Sequence, residues 1–347
     1  MRRNYCITAS AYVSGVRRFL LALALLVAVL LQAGGASGRE HSSELLTFNE
    51  LSLDGKRRVL SRHNIFPYRS SLSPDQRQLA YVPSVWDIGP SDQLWVAEVR
   101  SNSERLVLDA PALIGDVAWA PSGRAIALTF GDGIWLINPD GTGLRRVADS
   151  GAMLAWSPDS KSLAYGRRDD RLRSQVVVLS LETGEERVLS PGFRPRWSPD
   201  ARFLLFENTT GRDEPLKIRR VRATGGAPRT VARGFFPSWS PDGRQIAFTR
   251  FERASTVSLW VVRSRGGKPR RIARSATGDD PSPLWSPDSR RIVFRQGPRY
   301  CASKLSIVPV GGGRPRQLVA SQTRVLSPLA WSSRGRKVIY SGGICAQ

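Results

Sequence analysis

One short pattern returns along nearly the whole chain and limits its fold more than any other feature. It reads Ser73-Pro74-Asp75, Trp119-Ala120-Pro121-Ser122-Gly123, Trp156-Ser157-Pro158-Asp159, Trp197-Ser198-Pro199-Asp200, Trp239-Ser240-Pro241-Asp242-Gly243 and Trp285-Ser286-Pro287-Asp288. An eroded seventh copy stands at Trp331-Ser332-Ser333-Arg334-Gly335. Counted from proline to proline and finally to Ser333, the steps are 47, 37, 41, 42, 46 and 46 residues. Periods of this size with strand-like content between the copies are those of propeller blades.

The residues of the repeat explain the shape. Proline presets φ at the second position of a tight turn, Asp or Ser at the third bonds nearby backbone, and Gly tolerates the fourth. A basic or polar residue then leads into a short β-forming run, such as Leu79-Ala80-Tyr81-Val82, Phe203-Leu204-Leu205-Phe206 or Ile292-Val293-Phe294. These runs read as second strands, buried on both faces between neighbouring blades. A third strand (Leu94-Trp95-Val96-Ala97, Leu259-Trp260-Val261-Val262) and a fourth (Arg187-Val188-Leu189, Arg271-Ile272-Ala273) complete a four-stranded blade.

The last copy has only its first two strands, ending near Tyr340, whereas residues 44–60 supply only a third and a fourth. Pairing Phe48-Asn49-Glu50-Leu51 with Val338-Ile339-Tyr340 makes one composite blade and removes an exposed sheet edge. The expected fold is therefore all-β: a seven-bladed β-propeller closed by its N- and C-terminal strands, with six blades as the runner-up.

Ahead of the repeats, Arg2, Arg3, Arg17 and Arg18 precede the apolar run from Phe19 to Leu31 and the small-residue stretch from Ala33 to Gly38. Residues 1–38 read as a signal peptide, and 39–347 as a single propeller domain. The apolar run is short of the roughly 20 residues of a spanning helix, and an uncleaved anchor extended through Ala33 is the alternative. Export places the mature chain in the periplasm or outside the cell, associated with the wall, by a route the sequence leaves open. Cys6 leaves with the leader, so Cys301 and Cys345 remain, as one disulfide or as two surface thiols.

The formal charge of +23 falls to +19 once the leader arginines are gone, and all but six of the 52 basic residues are arginine. Such a charge attracts anionic wall polymers or lipid headgroups, and a GC-rich coding sequence gives the same bias without any function.

The Trp-Ser-Pro-Asp-Gly turn resembles the repeats of the TolB-like (WD40-like) propeller family over about residues 44–340. So do the basic β-run after it and the later stretches Gly225-Gly226-Ala227-Pro228-Arg229, Gly266-Gly267-Lys268-Pro269-Arg270 and Gly312-Gly313-Arg314-Pro315-Arg316. The resemblance implies an exported binding scaffold. Its namesake carries an α/β domain before a six-bladed propeller and works with a peptidoglycan-associated lipoprotein. Here a leader precedes seven repeats, so that partner does not carry over.

The repeating tryptophans form an aromatic cage on one reading and inter-blade core on the other, and recurrence in nearly every copy favours core. The turn aspartates likewise read as turn residues. Function in propellers lies on the opposite rim, in the loops joining second to third strands and one blade to the next. The candidate binding rim there is Trp86, Phe66, Tyr68, Phe235 and Phe236 with Arg167, Arg168, Arg171 and Arg173; Arg212, Arg250, Arg253 and Arg299 share it. Interspersed Asp169, Asp170, Asp213, Glu214 and Glu252 favour a protein contact over nucleic acid. The partner expected is an envelope protein or lipoprotein, with anionic wall polymer or lipid headgroups as further candidates. The only histidines, His41 and His63, accompany no nucleophile elbow or metal motif, so no catalytic residue, metal or cofactor is expected. The alternative is a metal-dependent propeller hydrolase or lyase with oxygen ligands on the rim. Asn208-Thr209-Thr210 matches a glycosylation acceptor.

Overall fold

A computed structural model of the chain describes residues 46–54, 56–63, 67–83, 91–208, 216–252, 257–275, 283–296, 303–321, 324–332 and 334–344. Residues 1–45, which include the expected signal peptide, and all three cysteines lie outside these residues.

Among the described residues every regular element is a strand, arranged in seven four-stranded antiparallel sheets. In chain order, blades 1 to 6 occupy residues 67–109, 114–148, 152–191, 193–233, 235–275 and 284–320. Blade 7 takes its first two strands from Arg324–Trp331 and Lys337–Ile344 and its last two from Leu46–Ser52 and Arg57–His63. Leu51 stands opposite Val338, Glu50 opposite Ile339 and Asn49 opposite Tyr340. The count of seven, and ring closure by both ends of the propeller, are thus as the sequence implies; the six-bladed runner-up is not what forms.

The core explains why seven faces must meet. Second strands are buried along their length, as in Ile126–Phe130, because each packs against the blade before and the blade after. One apolar cluster fills every interface. Leu94 and Val96 of blade 1 meet Ile126 and Leu128 of blade 2, and at the closing interface Phe48 and Ile339 of blade 7 meet Leu79 and Tyr81 of blade 1. Each fully buried Phe or Leu there contributes about 2 kcal/mol of transfer free energy.

The turns between first and second strands share one geometry. In blades 1, 3, 4, 5 and 6 the serine hydroxyl donates to the aspartate two residues on, for example Ser240 Oγ to Asp242 Oδ1 at 2.6 Å. The same carboxylate accepts a main-chain N–H two residues later, as from Arg244 at 3.0 Å. The next position adopts the left-handed conformation in all seven blades, with φ between 57° and 76° at Gln76, Gly123, Ser160, Ala201, Gly243, Ser289 and Gly335. Hydrogen bonds hold the carboxyls of Asp75, Asp159, Asp200, Asp242 and Asp288 below the usual range, against the opposing pull of partial burial. These aspartates are committed to turn closure.

The tryptophans add a tie that hydrophobic packing alone does not require. The Trp156 indole N–H donates to Ala118 O, Trp197 to Ala155 O, Trp239 to Arg196 O, Trp285 to Ser238 O and Trp331 to Leu284 O, at 2.9–3.2 Å. Each acceptor is the residue just before the tryptophan of the preceding blade, so successive first strands are stapled around the axis. Blade 1 has Leu72 in place of tryptophan, and the Trp119 indole turns instead to Gly123 O of its own turn.

Candidate binding rim

Alternating strand direction puts the Ser-Pro-Asp turns and the turns between third and fourth strands on one face, here the underside. The hairpins between second and third strands and the links between blades lie on the other, the rim.

At the rim end the first strands of blades 2 to 5 each carry a bulge, two residues facing one on the second strand. In blades 3, 4 and 5 the bulge residue is left-handed although not glycine: Met153, Arg194 and Phe236, at φ 61°, 54° and 52°. Two residues before the last two, Gly192 and Gly234 have φ of 151° and 145°. A Cβ on Gly192 would come within 2.4 Å of Phe206, and one on Gly234 within 2.4 Å of Thr249 O, so both positions demand glycine. The signal in sequence is a glycine five residues before each of Trp156, Trp197 and Trp239.

An acidic side chain from the preceding blade satisfies two of these bulges. Phe236 N–H donates to Glu207 Oε1 at 2.9 Å, and Met153 N–H donates to Asp116 Oδ2. Glu207 is wholly buried and also receives Arg194 Nη1 at 3.3 Å. Burial pushes its carboxyl above the usual glutamate range, while the Phe236 N–H and Arg194 favour the ionised form. Both oxygens are engaged, Oε1 by Phe236 of blade 5 and Oε2 by Arg194 within blade 4.

Around this joint lies an aromatic and arginine cluster. The Arg194 guanidinium covers the Phe236 ring at 4.9 Å, and Phe235 meets Phe236 edge-on at 5.2 Å. Phe251, at the rim end of the second strand of blade 5, stacks on Phe235 at 4.4 Å and remains 63% exposed. Phe235 itself is buried and serves as the platform. Arg250 is held at 4.4 Å over Trp260 and donates through Nε to Arg233 O at 2.7 Å.

The four arginines expected on blade 3 divide into two kinds. Arg167 pairs with Glu186, and Arg173 with Asp169 at 2.9 Å. Arg168 and Arg171 are exposed with no carboxylate paired to them among the described residues. Next to Arg171 at the hairpin tip, Leu172 is left-handed at φ 58° and 73% exposed. No hydrogen bond, ion pair or ring contact among the described residues joins this hairpin to the phenylalanine cluster. Trp86 and Phe66 lie outside the described residues, as do Arg212, Arg253 and Arg299; Tyr68 falls within the strand Pro67–Leu72, and its side chain is not among those described. Sequence reasoning missed Arg194, Glu207, Phe251 and Leu172. Asn208 is buried and donates to Pro191 O at 2.8 Å, which withdraws its amide from the glycosylation reading. Among the described residues no three His, Cys, Asp or Glu side chains stand together as a metal site.

No protein-family model and no curated protein matches this chain. Solved structures do share its fold. A putative TolB from Agrobacterium tumefaciens is 19% identical, with 88% of this chain and 100% of that one covered at a TM-score of 0.52. TolB from Acinetobacter baumannii is 17% identical over 92% of this chain and 68% of its own, at 0.51. An oligogalacturonate lyase from Vibrio parahaemolyticus is 12% identical over 86% and 97%, at 0.60. The chain thus has the TolB-like propeller fold, and at these identities the likeness extends to fold alone.

Proposed function

We propose that this chain is an exported binding propeller that holds an envelope protein or lipoprotein against its rim and turns over no substrate. The observation that carries this reading is Phe251, 63% exposed and stacked on Phe235, which in turn meets Phe236 beneath Arg194. Aromatic and arginine side chains dominate the energetics of protein interfaces, and covering one such phenylalanine yields about 2 kcal/mol. Leu172, on the same face beside the unpaired Arg171, supplies a second apolar anchor. Cys301 and Cys345 follow the second strands of adjacent blades 6 and 7, and in an oxidising compartment we place them in one disulfide.

The lyase-like alternative shares the fold. Against it stands Glu207, the buried acid at the rim end of blade 4, whose two oxygens are both engaged by protein groups. The test is capture from a detergent-solubilised envelope fraction by the purified chain and by a Phe251→Ser, Leu172→Ser variant. The variant is expected to lose the captured protein at least about tenfold with its circular dichroism unchanged, since both side chains are exposed. Equal capture by both overturns the rim assignment. Release of unsaturated products from oligogalacturonate with added manganese overturns the non-catalytic reading.

A further inference from the structure

The underside of blades 4 and 5 holds charge that the rim does not use. Between Leu216 and Ser275 the sequence has fifteen Lys or Arg, Arg250 and Arg253 of the rim among them, and two acids, Asp242 and Glu252. Asp242 is bonded within its own turn to Ser240 Oγ and Arg244 N, and Glu252, at the rim end, faces Arg271 and Arg274. Asp200, in the blade 4 turn, is likewise taken by Ser198 Oγ and Arg202 N.

Four arginines gather where the turns between third and fourth strands of these blades meet. Arg220 stands opposite Arg229 across the third and fourth strands of blade 4, and Arg222 is two residues further on. Arg220 Nη1 donates to Ser264 O at 2.9 Å, which draws the blade 5 turn and Arg265 alongside. Its guanidinium lies 4.6 Å from the Phe203 ring. Burial, and then Arg229, Arg265 and Arg222, all disfavour the Arg220 charge. No carboxylate among the described residues pairs with any of the four.

The structural explanation for such arginines covers only part of the cluster. The first or second residue of the fourth strand is arginine at one register position in six blades (105, 145, 187, 229, 270 and 316), and Arg58 is its counterpart in blade 7. In blades 1 and 5 this arginine clamps the next blade's turn: Arg105 donates to Pro139 O, and Arg270 to Val310 O and Gly311 O. In blade 4 Arg220 makes the equivalent bond to Ser264 O. Arg229 is thereby released from the clamp and exposed, together with Arg222 and Arg265.

We infer that this underside cluster is a second binding site, for a linear phosphate-rich polymer. Arg222, Arg229 and Arg265 grip the phosphates, and Arg220 is the anchored centre. Guanidinium forks match phosphate oxygens in pairs, and several forks without counter-charge favour a ligand that brings several anions on one chain. Phe203, the aromatic side chain in the cluster, is capped by Arg220, which leaves bases nothing to stack on and favours a polymer without them. The site is independent of the rim reading.

Long-chain inorganic polyphosphate is the probe, bound to the purified chain at physiological ionic strength. Arg222→Gln, Arg229→Gln, Arg265→Gln is expected to weaken binding at least about tenfold and to lower the slope of log affinity against log salt by about two. The exposed set Arg58→Gln, Arg124→Gln, Arg145→Gln removes the same charge from blades 7 and 2 and is expected to change binding less than about twofold if the site is local. Equal losses in both variants mean attraction by net charge alone and overturn the site, as does no loss in either or no binding by the parent chain. Equally tight binding of oligothymidylate, lost in the same first variant, overturns the choice of ligand.

Discussion

The main-chain N–H of Phe236 in blade 5 donates to the carboxylate of Glu207 in blade 4 at 2.9 Å, and so one buried acid holds the left-handed bulge that seats the aromatic cluster. Glu207→Ala leaves that N–H without an acceptor and Arg194 without its partner, and is expected to destabilise the fold by about 3 kcal/mol in urea denaturation. Glu207→Gln keeps an acceptor and should cost about 1 kcal/mol at neutral pH. Because burial raises the folded carboxyl above its unfolded value, the ionised acid weighs against the fold. Its penalty grows as pH rises through the ordinary glutamate range toward the folded value. The parent chain should therefore gain on Glu207→Gln as pH falls from 7 to about 4.5, and a difference that stays constant contradicts this.

The turn aspartates titrate with the opposite sign. Their folded values are lowered, so their contribution is present at neutral pH and is lost as pH falls below about 4 through the folded values. Asp242→Asn keeps an oxygen acceptor for Ser240 and Arg244 but removes the titration. A shallower loss of stability with acid below about pH 4 is expected for that variant than for the parent, measured by thermal unfolding at stepped pH.

Two tryptophans separate packing from stapling. Trp285→Phe removes the indole that donates to Ser238 O of blade 5 and is expected to cost about 2 kcal/mol. Trp119→Phe removes a donor used only within its own turn, to Gly123 O, and should cost about half as much. Equal urea midpoint shifts for the two contradict a stapling role.

How far the sequence reached depended on whether a feature recurs. The Ser-Pro-Asp turn is local chemistry, so its seven copies, their strands and the pairing of the Phe48–Leu51 segment with Val338–Tyr340 were readable from spacing and polarity. The tryptophan staples were readable as core and not as hydrogen bonds, because the acceptor is a backbone carbonyl about forty residues away whose direction depends on blade twist. Glu207 looked like the end of an apolar run, and its meeting with Phe236 arises only once the blade 5 bulge turns the Phe236 amide toward blade 4. Phe251 was hidden among the charges of Arg250, Glu252 and Arg253, where alternation gives no sign of which side chain stays in solvent.

The central claim, that the rim and not the underside takes the protein partner, is tested most directly by hydrogen exchange on the purified chain with and without the captured partner at saturation. The expected result is slowed exchange across residues 168–173 and 250–252, with the turn amides of Lys161, Arg202, Arg244 and Arg290 unchanged. Slowing confined to those turn amides, with both rim segments exchanging as in the free chain, contradicts the claim.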